Sequence, residues 1–261
     1  MTDNLNLVGW TCPKPLQHYS TIVLGHGSGG KMMADLIQHL FSSAFDNDLL
    51  DQLGDSTILD LLDSSKNNLS PRFAFTTDSY VIDPLFFPGG DIGKLAVCGT
   101  VNDLSVSGAV PLYISASYII EEGFPMELLE RIVSSMASEA KVAGVDIVTG
   151  DTKVVDKGKC DKLFINTAGI GIVIKGYEKI HKGLDIQPGD KIIINGYIGD
   201  HESAIISARN LLPLKSEITS DCSCLNHVIY DLLKANLKIK FMRDATRGGL
   251  GTVLNEVVEN K

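Results

Sequence analysis

Two hydrophobic periods alternate along this chain. Apolar residues at every second position mark strands, and apolar residues three and four apart mark helices. Met33, Leu36, Ile37, Leu40 and Phe41 predict a helix over 31–44. Strands are predicted over 21–24, 58–62, 72–77, 111–120, 145–149 and 163–174. A helix over 91–108 starts on Asp91 as its cap. Pro125 fits the first turn of the next helix, which carries Leu128, Leu129, Ile132, Val133, Met136, Ala137 and Ala140, and Gly144 fits its end. After a composition break over 175–190, the pattern predicts a strand over 191–195 and helices over 201–211, 223–234 and 246–259. The reading is an α+β chain of the α/β sandwich type. It has a polar N-terminal arm over 1–20, a first domain over 21–177 and a shorter second domain over 178–261. The second domain ends in mid-helix with no closing strands, as a truncated domain would.

Composition adds limits rather than a function. At 44% hydrophobic and 21% charged residues, the 261-residue chain is ordinary for a globular protein. A net charge of −9 argues against a general nucleic-acid or anionic-membrane binder, though not against a nucleotide held through a local metal ion. The sequence shows neither a signal-peptide pattern nor an apolar run of membrane-spanning length, and a cytoplasmic location is expected. Five cysteines, Cys12, Cys98, Cys160, Cys222 and Cys224, do not read as a disulfide framework. Cys222-Ser223-Cys224 has no second CxxC or HxxxH pair beside it, so free thiols are expected there rather than zinc.

The chemistry-bearing residues are carboxylates beside apparent strand ends and helix starts: Asp55, Asp78, Asp103, Asp151 and Asp244. Hard cations take oxygen ligands, and a triphosphate takes those ions together with backbone N–H donors. Gly25-His26-Gly27-Ser28-Gly29-Gly30-Lys31 has the composition of a phosphate loop without its spacing, and a plain turn before a helix is the alternative. Lys153, two residues from Asp151, could hold a phosphate or move a proton, or simply be a surface lysine. Arg243-Asp244-Ala245-Thr246-Arg247-Gly248-Gly249 is the most informative string. Two arginines bracket a carboxylate, and a hydroxyl and two glycines open a helix. Of the histidines, His201 at a helix start stands out.

Several strings together resemble the hydrogenase maturation factor HypE family. They are Gly25 to Gly30, Pro84 to Gly93 (Pro-Leu-Phe-Phe-Pro-Gly-Gly-Asp-Ile-Gly), Gly99 to Leu104 (Gly-Thr-Val-Asn-Asp-Leu), Val148 to Val155, Thr167 to Gly171, and Asp244 to Leu250. That family sits in a superfamily with aminoimidazole ribonucleotide synthetase, selenophosphate synthetase and thiamine-phosphate kinase. The resemblance implies a two-domain ATP-binding fold whose first domain pairs across a homodimer. It also implies dehydration of a cysteine-bound carboxamide to a thiocyanate, with the cyanide destined for the iron of [NiFe]-hydrogenase. It assigns Mg²⁺-ATP ligation to Asp55, Asp78, Asp103, Asp151 and Asp244. Nucleotide contacts fall to Gly27, Gly29, Gly30, Asn102, Thr246 and Arg247, and Lys153 lies near the reacting group. By the same resemblance, partners are the carbamoyltransferase HypF and a HypC–HypD complex. The family has Gly-Asp-His-Gly where this sequence has Gly199-Asp200-His201-Glu202. It also ends in Pro-Arg-Ile-Cys, whereas this sequence stops at Lys261 without a carrier cysteine. Two alternatives stay open: an ATP-binding adaptor without turnover, and a selenophosphate synthetase-like enzyme, the latter disfavoured because the glycine loop lacks a cysteine.

Overall fold

The computed structural model describes residues 30–42, 56–60, 72–209, 217–235 and 237–259. The chain divides into two compact units, Gly54–Asp244 and, separately, Met1–Leu53 with Ala245–Lys261.

The larger unit is built on five strands: β1 (Thr57–Asp60), β2 (Arg72–Tyr80), β5 (Ala109–Glu121), β6 (Asp146–Val155) and β7 (Leu163–Val173). They lie in the order β1-β2-β7-β5-β6, with every neighbouring pair antiparallel except β5 and β6. That parallel pair needs a crossover, and helix α3 (Met126–Ala143) supplies it. A short hairpin, β3 (Phe86–Phe87) with β4 (Gly90–Asp91), leads into helix α2 (Ile92–Val106).

One face of the sheet is buried and the other is not. On β7, Leu163, Ile165, Thr167, Gly169, Gly171 and Val173 are buried, while the alternate Asn166, Ile170 and Ile172 are exposed. The period of two does this by sending successive side chains to opposite faces. Against the buried face lies α2, whose Ile92, Ala96, Val97, Val101 and Leu104 have no solvent exposure at all. Each such large aliphatic contributes about 1.5–3 kcal/mol through burial. Gly169 sets how close α2 can come, because a Cβ there would sit 2.6 Å from Thr100 and 3.0 Å from Leu104.

Helix α2 is apolar almost all round, because α3 covers its other side. Helix α3 is amphipathic instead. Ile132, Met136, Ala140 and Ala143 form its buried stripe, while Val133 and Ala137, expected on that face, are exposed. Asp91 caps α2 as expected, accepting from the N–H of Gly93 at 2.7 Å and of Lys94 at 3.2 Å, and its other oxygen accepts from Ser135 at 2.6 Å.

The same unit also holds α4 (Asp200–Ala208) and α5 (Asn226–Lys234). The strand expected over 191–195 is not formed. A strand needs a ladder partner, and this stretch has none among the described residues; Ile193 is 88% exposed. In the smaller unit, α1 (Lys31–Leu36) runs on into a wider turn over Ile37–Ser42, and α6 (Gly249–Glu259) starts three residues later than expected.

Candidate functional site

The β2 strand alternation places Ala74, Thr76, Asp78 and Tyr80 on the face toward α2. Asp103, near the C-terminal end of α2, meets them there. Thr76 Oγ1 donates to Asp103 Oδ2 at 2.9 Å, and Ser56 Oγ donates to the Asp103 carbonyl at 3.2 Å. Asp244 hydrogen-bonds to Asp103. Burial pushes the Asp244 carboxyl above the usual range, and the Asp78 charge adds to the shift, while the bond to Asp103 and the Arg243 guanidinium oppose it. Burial, helped by the charge of Asp78, likewise raises the Tyr80 phenol well above its ordinary value.

Three of the five expected metal ligands, Asp78, Asp103 and Asp244, therefore lie close enough to feel one another's charge. Their charges repel one another, and a cation would relieve that repulsion. An all-oxygen donor set suits Mg²⁺, so these residues fit the ion that the sequence implied.

Asp151 and Lys153 do not join this cluster. They sit on β6 with side chains 60% and 68% exposed, paired with each other at 2.8 Å. The lysine contact and a backbone N–H hold the Asp151 carboxyl below the usual range. Along one row of the sheet, Asp78 pairs Thr167, Thr167 pairs Ala116 and Ala116 pairs Gly150. Asp151 is thus about 14 Å away at three strand spacings. It pairs with Ser117, on the face opposite α2.

Asn102 acts as a clamp. Its Nδ2 donates to the Ser223 carbonyl at 3.0 Å, and its Oδ1 accepts the Leu225 N–H at 2.8 Å. This ties α2 to the stretch before α5. The Phe-Phe-Pro-Gly-Gly string serves the same stretch: the Pro88 carbonyl accepts the Ser220 N–H at 2.8 Å, and Phe87 packs edge-on against His201 at 5.4 Å. His201 Nδ1 bonds Ser220 Oγ at 2.8 Å, so the histidine singled out from sequence braces a turn.

In the smaller unit, Gly30 precedes α1 and accepts the N–H groups of Met33 and Ala34 at 3.0 and 3.1 Å. Thr246 and Arg247 are exposed just before α6. Gly248 there has φ of 74°, and a Cβ on it would clash with Thr252. Gly27, Gly29 and Asp55 lie outside the described residues.

The sequence reading missed the roles of Ser56 and Tyr80. Tyr80 could have been found from the alternation, which continues the Ala74, Thr76, Asp78 series by one step. Ser56 carried no such signal.

Comparison with known proteins agrees with this geometry. The AIR synthase related protein N-terminal domain family matches residues 57–173, and its C-terminal domain family matches 187–261. Carbamoyl dehydratase HypE of Rhodobacter capsulatus is 49% identical over 238 residues, 91% of this chain and 68% of that protein. The Escherichia coli K12 protein of the same name is 50% identical over 91% of this chain and 69% of its own length. Among solved structures, a HypE–HypF complex superposes with a TM-score of 0.77 at 48% identity, covering 86% of this chain and 70% of that one. HypE in complex with ATP gives 0.67 at 47% identity, covering 92% and 69%. On this likeness, which runs through the strands and helix that bear the carboxylates, the chain belongs to the carbamoyl dehydratase HypE family, on the AIR synthase related fold.

Proposed function

We propose that this protein uses Mg²⁺-ATP to dehydrate a carboxamide carried on a cysteine sulfur. The product is a thiocyanate whose cyanide is destined for the iron of a [NiFe]-hydrogenase. The observation that carries this reading is the proximity of Asp103 and Asp78 to Asp244, whose carboxyl is displaced upward by burial. A HypE relative solved with ATP supports the nucleotide.

An amide oxygen is a poor leaving group. Its attack on the γ-phosphorus, with loss of one N–H proton and departure of ADP, converts it to a phosphate ester. Loss of the second N–H proton as phosphate leaves completes the C≡N bond. Asp78, Asp103 and Asp244 would hold the Mg²⁺, whose charge stabilises the transferring phosphoryl group. Thr76 and Ser56 fix Asp103 for that task. Asp55 is proposed as a further ligand, and Gly27, Gly29, Gly30, Thr246 and Arg247 as nucleotide contacts, each from the family resemblance. Asn102 would contribute by holding α2 in place.

The role of Asp151 and Lys153 follows from the sheet's outer face. Phe75, Tyr113, Ile119, Ile170 and Ile172 are 38–48% exposed there, an apolar patch that calls for cover. A second copy of the chain would supply that cover in a homodimer. Lys153 and Asp151, on the same face, would then serve the site of the neighbouring copy, Lys153 as the group near the reacting amide and Asp151 as a metal ligand.

The proposed domains are 21–177 for ATP binding and dimerisation and 178–261 for the partial second domain. HypF is the proposed donor partner, supported by the HypE–HypF complex of a relative, and a HypC–HypD complex is the proposed acceptor. Among the described residues no helix is long and apolar enough to cross a membrane, and cytoplasmic placement is proposed. The test is formation of a cysteinyl thiocyanate on a peptide ending Pro-Arg-Ile-Cys, carbamoylated on its thiol, with ATP and Mg²⁺. Thiocyanate and ADP in equal amounts are expected. ADP formation without thiocyanate would overturn the dehydratase reading.

A further inference from the structure

Away from the carboxylates, three segments distant in sequence bring soft ligands together. Cys98 projects from the middle of α2, Glu139 from α3, and Cys224 from the stretch leading into α5. Cys224 Sγ lies 3.6 Å from Cys98 Sγ, and Cys98 Sγ lies 3.4 Å from Glu139 Oε1. The three ligand atoms of Cys98, Glu139 and Cys224 all fall within 4.8 Å of one another.

These spacings fit a zinc ion. Zinc bonds sulfur at about 2.3 Å and carboxylate oxygen at about 2.0 Å, so a tetrahedral site has sulfur–sulfur edges of about 3.75 Å and sulfur–oxygen edges of about 3.5 Å. The observed 3.6 and 3.4 Å edges agree with both. A disulfide would need the sulfurs at about 2.05 Å. The donor set of thiolates with one carboxylate selects a soft or borderline cation and disfavours Mg²⁺.

We infer that Cys98, Cys224 and Glu139 hold a Zn²⁺ ion that fastens the 217–225 stretch to helices α2 and α3. The placement gives the site a purpose. Asn102 clamps the same stretch one turn further along α2, next to Asp103, so the ion would stiffen the helix that presents that carboxylate. The sequence concealed this because the three ligands lie on three segments distant in sequence. The inference does not depend on the proposed dehydratase activity.

The test uses the full chain, reduced and kept anaerobic, titrated with Co²⁺ and Zn²⁺. One Co²⁺ per chain is expected to give sulfur-to-cobalt charge-transfer absorption, which oxygen ligands at Asp103 and Asp244 would not produce, and Zn²⁺ is expected to displace it. Cys224→Ser should lose the absorption, and Glu139→Gln should weaken Zn²⁺ binding by about 10-fold or more. Cys160→Ser should leave both unchanged. Far-ultraviolet circular dichroism checks that each variant is folded, and both substituted ligands are only partly buried. No charge-transfer band in the reduced wild type, or an unchanged band in folded Cys224→Ser, would overturn the inference.

Discussion

Asp103 and Asp151 are both carboxylates carried by the same five-stranded sheet and its helices, yet they are handled in opposite ways. Asp103 receives a hydrogen bond from Thr76 and shares another with Asp244, whose own carboxyl is pushed upward by burial. Asp151 stands in solvent with Lys153 against it, and its carboxyl is pulled downward. Water screens the second pair, so its charge is cheap and of little consequence to the fold. Asp244 is drawn partly out of water, and like charges crowd it. That arrangement is costly unless a cation enters, which is how a metal site differs from a decorated surface.

The sharpest way to break this contrast is Asp103→Asn. The amide can still accept from Thr76 but carries no charge. Mg²⁺-ATP affinity should fall about 100-fold or more, since loss of a direct ligand exceeds the roughly 10- to 100-fold effect of outer partners. Titration calorimetry reads this directly, and unchanged affinity would place the metal elsewhere.

Burial acts on His181 by the same logic as on Asp244, with the opposite sign. Both ring nitrogens are buried without a hydrogen-bond partner among the described residues, and burial lowers its pKa from 6.5 to about 4. The unfolded chain therefore takes up this proton first as pH falls. Stability from this group is complete above pH 6.5 and drains away down to about pH 4, at most about 3 kcal/mol. Denaturant melts from pH 7 to 4 should show that slope, and His181→Leu should flatten it. An unaltered slope in the variant would assign it to other groups.

Gly169→Ala probes how tightly the buried side is built. The added methyl meets Thr100 and Leu104 and should cost about 2 kcal/mol by overpacking. It should also weaken Mg²⁺-ATP binding by displacing α2. A change in stability alone would uncouple helix position from the site. The smallest stability effect belongs to the exposed pair: Asp151→Asn and Lys153→Ala should leave the melting temperature where it was, while Lys153→Ala lowers turnover in the dimer. A large drop in Tm would show that the pair is not the screened surface contact described.

How much of this was legible beforehand depended on how local each signal is. The helices α2 and α3, the cap on Asp91 and the five strands of the large sheet follow from patterns within about twenty residues, and the sequence reading located each of them, though β6 runs on to Val155 and the short β3–β4 hairpin was not foreseen. The strand expected at 191–195 carried the right residues, but its formation depends on a partner strand that local pattern does not reveal. At the site, Asp78, Asp103 and Asp244 stood out by their flanking strings, yet what joins them is register: Thr76 and Asp78 share a face because both are even steps from Ala74. The clamp made by Asn102 was not legible, because it bridges 121 positions of sequence. The thiol cluster was hidden for the same reason, since Cys98 and Glu139 reach Cys224 only after α2, α3 and the 217–225 stretch have packed.

The central claim is that Asp78, Asp103 and Asp244 together hold the metal of bound ATP. Electron paramagnetic resonance of Mn²⁺ with ATP measures this most directly, comparing the wild-type protein with Asp244→Asn. The wild type should bind Mn²⁺ in an ATP-dependent manner, and folded Asp244→Asn should leave the ion free in solution. Equal Mn²⁺ binding by the two proteins would contradict the account.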